Sequence, residues 1–392
     1  MRILYVTDLW RGFSDILRGL DTARGMPAFI KPLHKIIEKN NIVELVVIGD
    51  IEEKEIDIKI PWLTNKQIVG IVNEKNGIIK VYKLYRKLQK LLINNHYDFI
   101  YGHGSIAAVA NLVANQFRIP YGQRLYGSFM WSNMLKYGRI SGKLKSLLEY
   151  SCFIQKKKFL IVTDDGTCGD KVYESIRFFK KDYKFYFWIN GVDFVDKIDE
   201  INNHSKPFLL YTARIDSWKR QDRAIELLNI LHRENIKFYL LFAGHEYNSE
   251  YGKSLRALVQ EYNLSDYVEF LGAIENNRLL TFMKSAFVNL FFYDVSNKGN
   301  AFIESFMAGG VIVALNDGSV NQYIKNGENG FLVNNEVEAS KIIISLIKDE
   351  AKRKSVAQNV RIDAKKMFKS WDQRVDIELQ LILQEVGNGY TV

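Results

Sequence analysis

The sequence predicts an α/β chain of two doubly wound, Rossmann-like domains facing a central cleft, and three observations carry that expectation. At 392 residues the chain is longer than one hydrophobic core sustains, so two domains of roughly 190 residues each are expected. Strand-like apolar runs alternate with amphipathic helical segments, which is the grammar of βαβ units. The alternation stops at a polar, aperiodic stretch over 190–206, just before Pro207, and then restarts.

In the first half, RILYVT, VELVVIG, DFIYGHG and FLIVTDD read as strands, with PAFIKPLHKIIEKN and SIAAVANLVANQF as helices between them. The second half runs strand FLLYTARI, helix DRAIELLNILHREN, strand KFYLLFAG, helix KSLRALVQEYN, strand VEFLG, helix NRLLTFMKSA, strand VNLFFYD, helix NAFIESFMAG and strand VIVAL. The expected boundaries are 1–195 for the N-terminal domain, 205–368 for the C-terminal domain, and 369–392 for a last amphipathic helix packing back across the junction. In doubly wound sheets ligands bind beyond the carboxyl ends of the strands, at helix N-termini, so the cleft is the expected site.

Composition narrows the class. With 47% hydrophobic and 25% charged residues and only 5 Pro, the chain reads as globular, without a low-complexity tract. Two cysteines, Cys152 and Cys168, make neither a disulfide framework nor a metal quartet, which fits a reducing cytosol. MRILYVTDLW opens on a strand-like run rather than a signal sequence, and no apolar stretch reaches the roughly 18 residues of a membrane span, so a cytoplasmic protein is expected.

The net charge of +9 is uneven. Residues 1–190 hold 30 Lys and Arg against 18 Asp and Glu, about +12, and the remainder holds 24 against 27, about −3. Two basic segments with interleaved aliphatic and aromatic residues, 78–92 and 137–159, suit either solvated helix faces or helices resting on an anionic bilayer at the inner face of the plasma membrane. No nucleic-acid-binding motif accompanies the charge.

Candidate chemistry lies at successive strand ends of the second half. TARIDSWKRQDRAIELL puts Arg214 at a strand's carboxyl end and Lys219 five residues on, a fork and a point charge suited to adjacent phosphates; as isolated loop cations they need no ligand. Gly244 and Gly272 close the next two strands, where small residues admit a ligand to the backbone; each taken singly is equally a turn residue. After VNLFFYD, Asn297, Gly299 and Asn300 lead into a helix whose free N–H groups and dipole favour an anionic or hydroxyl-rich ligand. Glu304 follows on that helix. A lone helical Glu is ordinarily solvated or ion-paired, but Phe302, Ile303, Phe306 and Met307 surround this one, which asks for a strong hydrogen-bond partner such as a ligand hydroxyl.

The order R-x(4)-K, AG, FLG, GN-x(3)-E-x(3)-AGG and NG-x-x-GFLV (326–333) resembles the donor domain of retaining GT-B glycosyltransferases of family 4, the glycosyl transferases group 1. The resemblance is full over about 207–335 and thinner before it, where Gly25, DFIYGHG and NGVD fit. It implies a metal-independent, cofactor-free hexosyl transfer from a nucleotide-diphosphate sugar to a glycan or lipid-linked acceptor in cell-surface polysaccharide synthesis. Arg214 and Lys219 would grip the diphosphate and Glu304 the ribose hydroxyls. Ile274 would lie against the base, Lys298 to Ala301 near the distal phosphate and sugar, and Gly25 against the diphosphate from the first domain.

Two positions depart from the family pattern. A second glutamate expected eight residues before Glu304 is Ser296, with Asp294 or Asn297 as substitutes, and the first domain's loop histidine is replaced by Tyr126 or displaced to His103. A catalytically inactive, nucleotide-sugar-binding partner subunit and a nucleotide-sugar epimerase stand as alternatives.

Overall fold

The computed structural model describes residues 1–20, 30–39, 41–176, 182–199, 207–246 and 248–387. The chain forms two compact units, one of Met1–Asn190 with Trp371–Val392 and the other of Gly191–Ser370.

The first unit is built on a seven-stranded sheet of β1 (Arg2–Asp8), β2 (Ile42–Ile48), β3 (Ile68–Val72), β4 (Phe99–His103), β5 (Tyr121–Leu125), β6 (Phe159–Thr163) and β7 (Lys184–Trp188). Their order is β3-β2-β1-β4-β5-β6-β7 and every pair is parallel. Both faces are covered, which is why most of these strands, β5 excepted, read as apolar runs rather than as alternations. Ile3 and Tyr5 face one core layer and Leu4 and Val6 the other. Leu84, Leu88 and Leu92 of helix Gly77–Asn94 fill the second layer. The first receives Leu33 and Ile36 of helix Lys31–Glu38 together with Leu379 and Ile382 of helix Trp371–Gly387. The last helix therefore belongs to the first unit, although it follows the second in sequence.

A buried ion pair ties that helix in place. Glu378 accepts hydrogen bonds from the Arg124 guanidinium on β5 and, at 2.7 Å, from the Tyr101 hydroxyl on β4. The second Arg124 nitrogen donates to Asn190 Oδ1 at 3.0 Å. On the opposite face of the sheet, Lys157 is buried against Gln123 Oε1 and the Cys152 carbonyl, and burial lowers its ammonium to about 8. Burial also pushes the Cys152 thiol up to about 11, leaving it protonated.

The second unit carries a six-stranded sheet of β8 (Phe208–Thr212), β9 (Tyr239–Ala243), β10 (Val268–Gly272), β11 (Val288–Phe291), β12 (Ile312–Leu315) and β13 (Phe331–Val333). The order is β10-β9-β8-β11-β12-β13, again all parallel. Helix Gln221–Arg233 buries Ala224, Ile225, Leu228 and Leu231 at i, i+3, i+4 spacing, and helix Asn300–Ala308 buries Phe302, Ile303 and Phe306. Among the described residues no helix is long and apolar enough to cross a membrane.

Candidate functional site

In the second sheet the chain steps outward from β8 to β9 and β10, then returns to place β11 on the other flank of β8. The strand order reverses between β8 and β11, and such a switch point is where an open parallel sheet leaves a crevice for a ligand. Two loops enclose it. One follows β8 and holds Arg214 and Lys219; the other follows β11 and runs to the helix that starts at Asn300.

The two loops are stitched together. The Asp294 N–H donates to the Trp218 carbonyl at 3.2 Å, the Tyr293 hydroxyl donates to the Thr212 carbonyl at 2.5 Å, and the Tyr211 hydroxyl donates to the Lys219 carbonyl at 2.6 Å. Gln221, fully buried, donates its amide to the Arg214 carbonyl at 2.7 Å and so fixes the turn carrying that arginine.

Within this frame the two expected phosphate ligands share one aromatic platform. The Lys219 ammonium lies 4.0 Å from the Trp218 ring centroid and 3.9 Å from that of Tyr293, while the exposed Arg214 guanidinium lies 5.6 Å from Trp218. Ring faces attract cations, so Trp218 and Tyr293 hold the ammonium at the strand edge. Arg220 has another task. It takes a left-handed conformation (φ 50°) ahead of helix Gln221–Arg233 and bonds Asp222 at 2.8 Å and Asp294 at 3.0 Å. Arg223 also reaches Asp294, at 3.3 Å, so the Asp294 carboxylate is engaged by two cations that brace the loop.

The loop after β11 is equally ordered by its own groups. Asn297, fully buried, donates its side-chain amide to Asp317 Oδ2 at 2.8 Å and accepts the Tyr293 N–H at 2.9 Å. Its side chain thus shapes the loop. Ser296 is buried and its hydroxyl accepts the Lys298 N–H at 3.1 Å; Lys298 is buried too, with its ammonium 5.3 Å from the Tyr323 ring. Gly299 caps the helix in an extended conformation, with open space where a Cβ would project. Asn300, Ala301 and Glu304 are the helix positions left unburied in its first turns, and their spacing puts them on one stripe that leads from the ligand edge to a half-buried Glu304.

Gly244 follows β9 and Gly272 ends β10. A Cβ on Gly244 would sit 1.8 Å from the Ala213 carbonyl oxygen, so only glycine lets the β8 loop pass there. Gly272 adopts φ +66° and accepts the Gly244 N–H at 2.8 Å, and Ile274 follows it half-buried. Gly25 lies outside the described residues.

The first sheet has its own switch point, between β1 and β4. Burial raises the Asp8 carboxyl at the end of β1 to about 7. It packs against Gly104 (φ +82°), where a Cβ would meet Asp8 Oδ2 at 2.4 Å. The two histidine candidates read from the sequence meet here, with His103 Nδ1 2.9 Å from the Tyr126 hydroxyl and 3.2 Å from that of Tyr5. Burial, then the nearby Arg124 charge, hold the His103 imidazole well below its ordinary range and hence neutral. Its buried Nε2 has no hydrogen-bond partner among the described residues.

Residues 194–363 match the family model described as Glycosyl transferases group 1. Among solved structures, sucrose-phosphate synthase from Thermosynechococcus elongatus is similar at 17% identity, with 98% of this chain and 99% of that one covered and a TM-score of 0.73. The Anabaena HepE protein in complex with UDP and glucose aligns over 100% of both chains at 15% identity and a TM-score of 0.68. WaaG, a glycosyltransferase involved in lipopolysaccharide biosynthesis, aligns over 96% of this chain and 99% of its own at 13% identity and a TM-score of 0.66. At these identities the likeness establishes the fold, a pair of Rossmann-like sheets of the GT-B type. No curated protein matches the chain by sequence.

Proposed function

We propose, from a second unit that carries the glycosyl transferases group 1 sequence over residues 194–363, that this chain is a retaining glycosyltransferase using a nucleotide-diphosphate sugar. The observation that carries the reading is the pair Arg214 and Lys219 gathered on Trp218 at the switch point of the donor sheet.

The chemical difficulty in such a transfer is the departure of an anionic nucleotide while positive charge develops at the sugar carbon. Arg214 reads one phosphate by its fork and Lys219 neutralises the other, held in advance by Trp218 and Tyr293, so little reorganisation is needed as charge builds up. The first-turn N–H groups of the helix after Gly299 face the distal phosphate and sugar. Glu304 accepts hydrogen bonds from the ribose hydroxyls and positions the donor. Two cations suffice for the diphosphate without a metal, and a phosphate oxygen takes the acceptor's proton as the acceptor enters on the leaving-group face.

A uridine-diphosphate sugar is the donor to test first, since HepE forms a complex with UDP-glucose. The acceptor is a glycan or lipid-linked sugar of cell-surface polysaccharide synthesis, read by the strand-end loops of the first unit around Asp8 and His103. Incubation with a panel of nucleotide sugars and lipid-linked acceptors is expected to release nucleoside diphosphate; no release with any donor, hydrolysis included, would overturn the reading. Ser296 in place of an acidic residue favours one alternative, a donor-binding partner subunit without turnover. Calorimetric binding of the donor without transfer to a verified acceptor is that alternative's signature.

A further inference from the structure

The second unit holds an open cavity of about 710 Å³ away from the donor crevice. A helix that follows a strand of a parallel sheet runs back antiparallel to it, so helix Asn300–Ala308 has its amino end at the crevice. Its carboxyl end, Ala308 with Gly309, forms one wall of the cavity. Nine residues at about 1.5 Å each set these two ends about 13 Å apart. Lys284 and Ser285, at the carboxyl end of helix Asn276–Ser285, make a second wall, and helix Glu350–Met367 makes the floor.

The helical period arranges the floor. Val356, Val360 and Ala364 are buried in the core, and the neighbouring row Arg353, Ala357, Arg361 and Lys365, at i, i+4, i+8 and i+12, borders the cavity. Lys354 and Lys284 complete five cations in a lining that holds no acid among the described residues. The fold itself uses only part of this charge. Arg361 donates to the Val195 and Asp196 carbonyls at 2.9 and 2.7 Å, and Lys284 to the Ile198 carbonyl at 2.7 Å; these contacts hold the two side chains in place without neutralising them. Glu350, outside the lining, pairs with Lys354 at 3.0 Å. The carboxyl ends of the two wall helices add about half a negative charge each, so the five cations are in excess by roughly three charges. Arg353 stands at one end, its guanidinium 4.9 Å from the Phe287 ring and 3.9 Å from Glu350, beyond hydrogen-bond reach. Its Nε is buried without a hydrogen-bond partner among the described residues.

We infer that this cavity is a second anion site, which takes a small organic bisphosphate of the size of a phosphorylated sugar. The cations fall into two groups, Arg353 with Lys354 and Arg361 with Lys365, two helical turns or about 12 Å apart along the axis. Between them Ala357 leaves room for a compact body, and the Gln358 amide can donate to its hydroxyls. Two phosphates held at the ends of such a body relieve the mutual repulsion of the cations, and forked guanidinium groups suit phosphate oxygens. The concave shape and volume fit a small molecule, and Ile362 is the large aliphatic side chain that the lining exposes, so the site is not built to lie on a bilayer. The inference does not rest on the donor reading.

Isothermal titration at fixed ionic strength with fructose 1,6-bisphosphate, glucose 1,6-bisphosphate, fructose 6-phosphate and inorganic phosphate tests it. Wild-type protein is expected to bind a hexose bisphosphate about tenfold or more tighter than the monophosphate or phosphate alone. Arg353→Gln and Lys365→Gln are each expected to weaken that binding about tenfold or more. Ala357→Glu, which sets a carboxylate between the two cation groups, should abolish it. Lys341→Gln, an exposed position outside the cavity, and Lys219→Ala in the donor crevice should bind the bisphosphate like wild type. Thermal midpoints measured without ligand confirm that the variants fold. The inference is overturned if neither bisphosphate binds, if inorganic phosphate binds as tightly, or if the cavity variants bind like wild type. Loss of binding in Lys219→Ala overturns it too, because the ligand then occupies the donor crevice.

Discussion

Replacing Glu378 by Ala is expected to destabilise the first unit severely, although the residue lies 254 positions from its partner Arg124. The two side chains are 1% and 2% exposed, so both charges have been taken out of water and each depends on the other. Removal of Glu378 leaves the Arg124 guanidinium with Asn190 and the face of Tyr126, 4.8 Å away, and leaves the Tyr101 hydroxyl without its acceptor. Breaking a buried pair from one side costs about 3–5 kcal/mol, against a total stability of about 5–15 kcal/mol for a domain. At about 2–4 °C per kcal/mol for a domain of this size, the thermal midpoint of the first unit should fall by roughly 10 °C. Differential scanning calorimetry with Glu378→Ala, and with Arg124→Met combined with Glu378→Leu, checks the reasoning. The double replacement removes both charges and should recover most of the loss. A fall of less than about 3 °C for Glu378→Ala, or a double variant worse than the single one, would refute it.

Two further outcomes follow from the strand ends. The Asp8 carboxyl is raised from 3.8 to about 7, so the folded state keeps a proton that the unfolded state has lost. Stability attributable to Asp8 is therefore present below pH 4 and declines as pH rises to about 7, by at most about 1.4 kcal/mol per unit. Asp8→Asn should accordingly gain on wild type in denaturant titrations from pH 5 to pH 7, and a constant difference across that range would contradict the assignment. Gly244→Ala must displace the Ala213 carbonyl, 1.8 Å from the new Cβ, and is expected to cost the second unit about 2 kcal/mol. Gly299→Ala, with open space and an ordinary φ of −118°, should be near neutral; equal effects of the two would discount the close approach.

The βα grammar was legible because each strand buried on both faces is an unbroken apolar run, as in LVVI of β2 and FLLY of β8. The strand β5 was not, since YGQRL contains Gln123 and Arg124, both fully buried. Their partners, Lys157 and Glu378, come from elements distant in sequence, and no local pattern announces them. For the same reason the amphipathicity of the last helix was readable and its ion pair was not.

At the candidate site, Arg214 and Lys219 could be found from their place after a strand. Their aromatic support could not, because Tyr293 reaches Lys219 only once β11 has returned to the side of β8. Asn297 is a ligand-contact candidate in the linear motif; that its side chain also braces the loop, through Asp317 and the Tyr293 N–H, had no local signal. Conversely, the ambiguity between Tyr126 and His103 had a structural origin, since the two groups are hydrogen-bonded neighbours.

The central claim is that Arg214 and Lys219 grip the two phosphates of a nucleotide donor, and isothermal titration of nucleoside diphosphate against the parent nucleoside tests it most directly. Wild-type protein should bind the diphosphate. Lys219→Ala and Arg214→Ala should each weaken it by about 10- to 100-fold, as expected for loss of one charge-assisted contact, with nucleoside binding unchanged. Diphosphate affinity that survives both replacements would contradict the account.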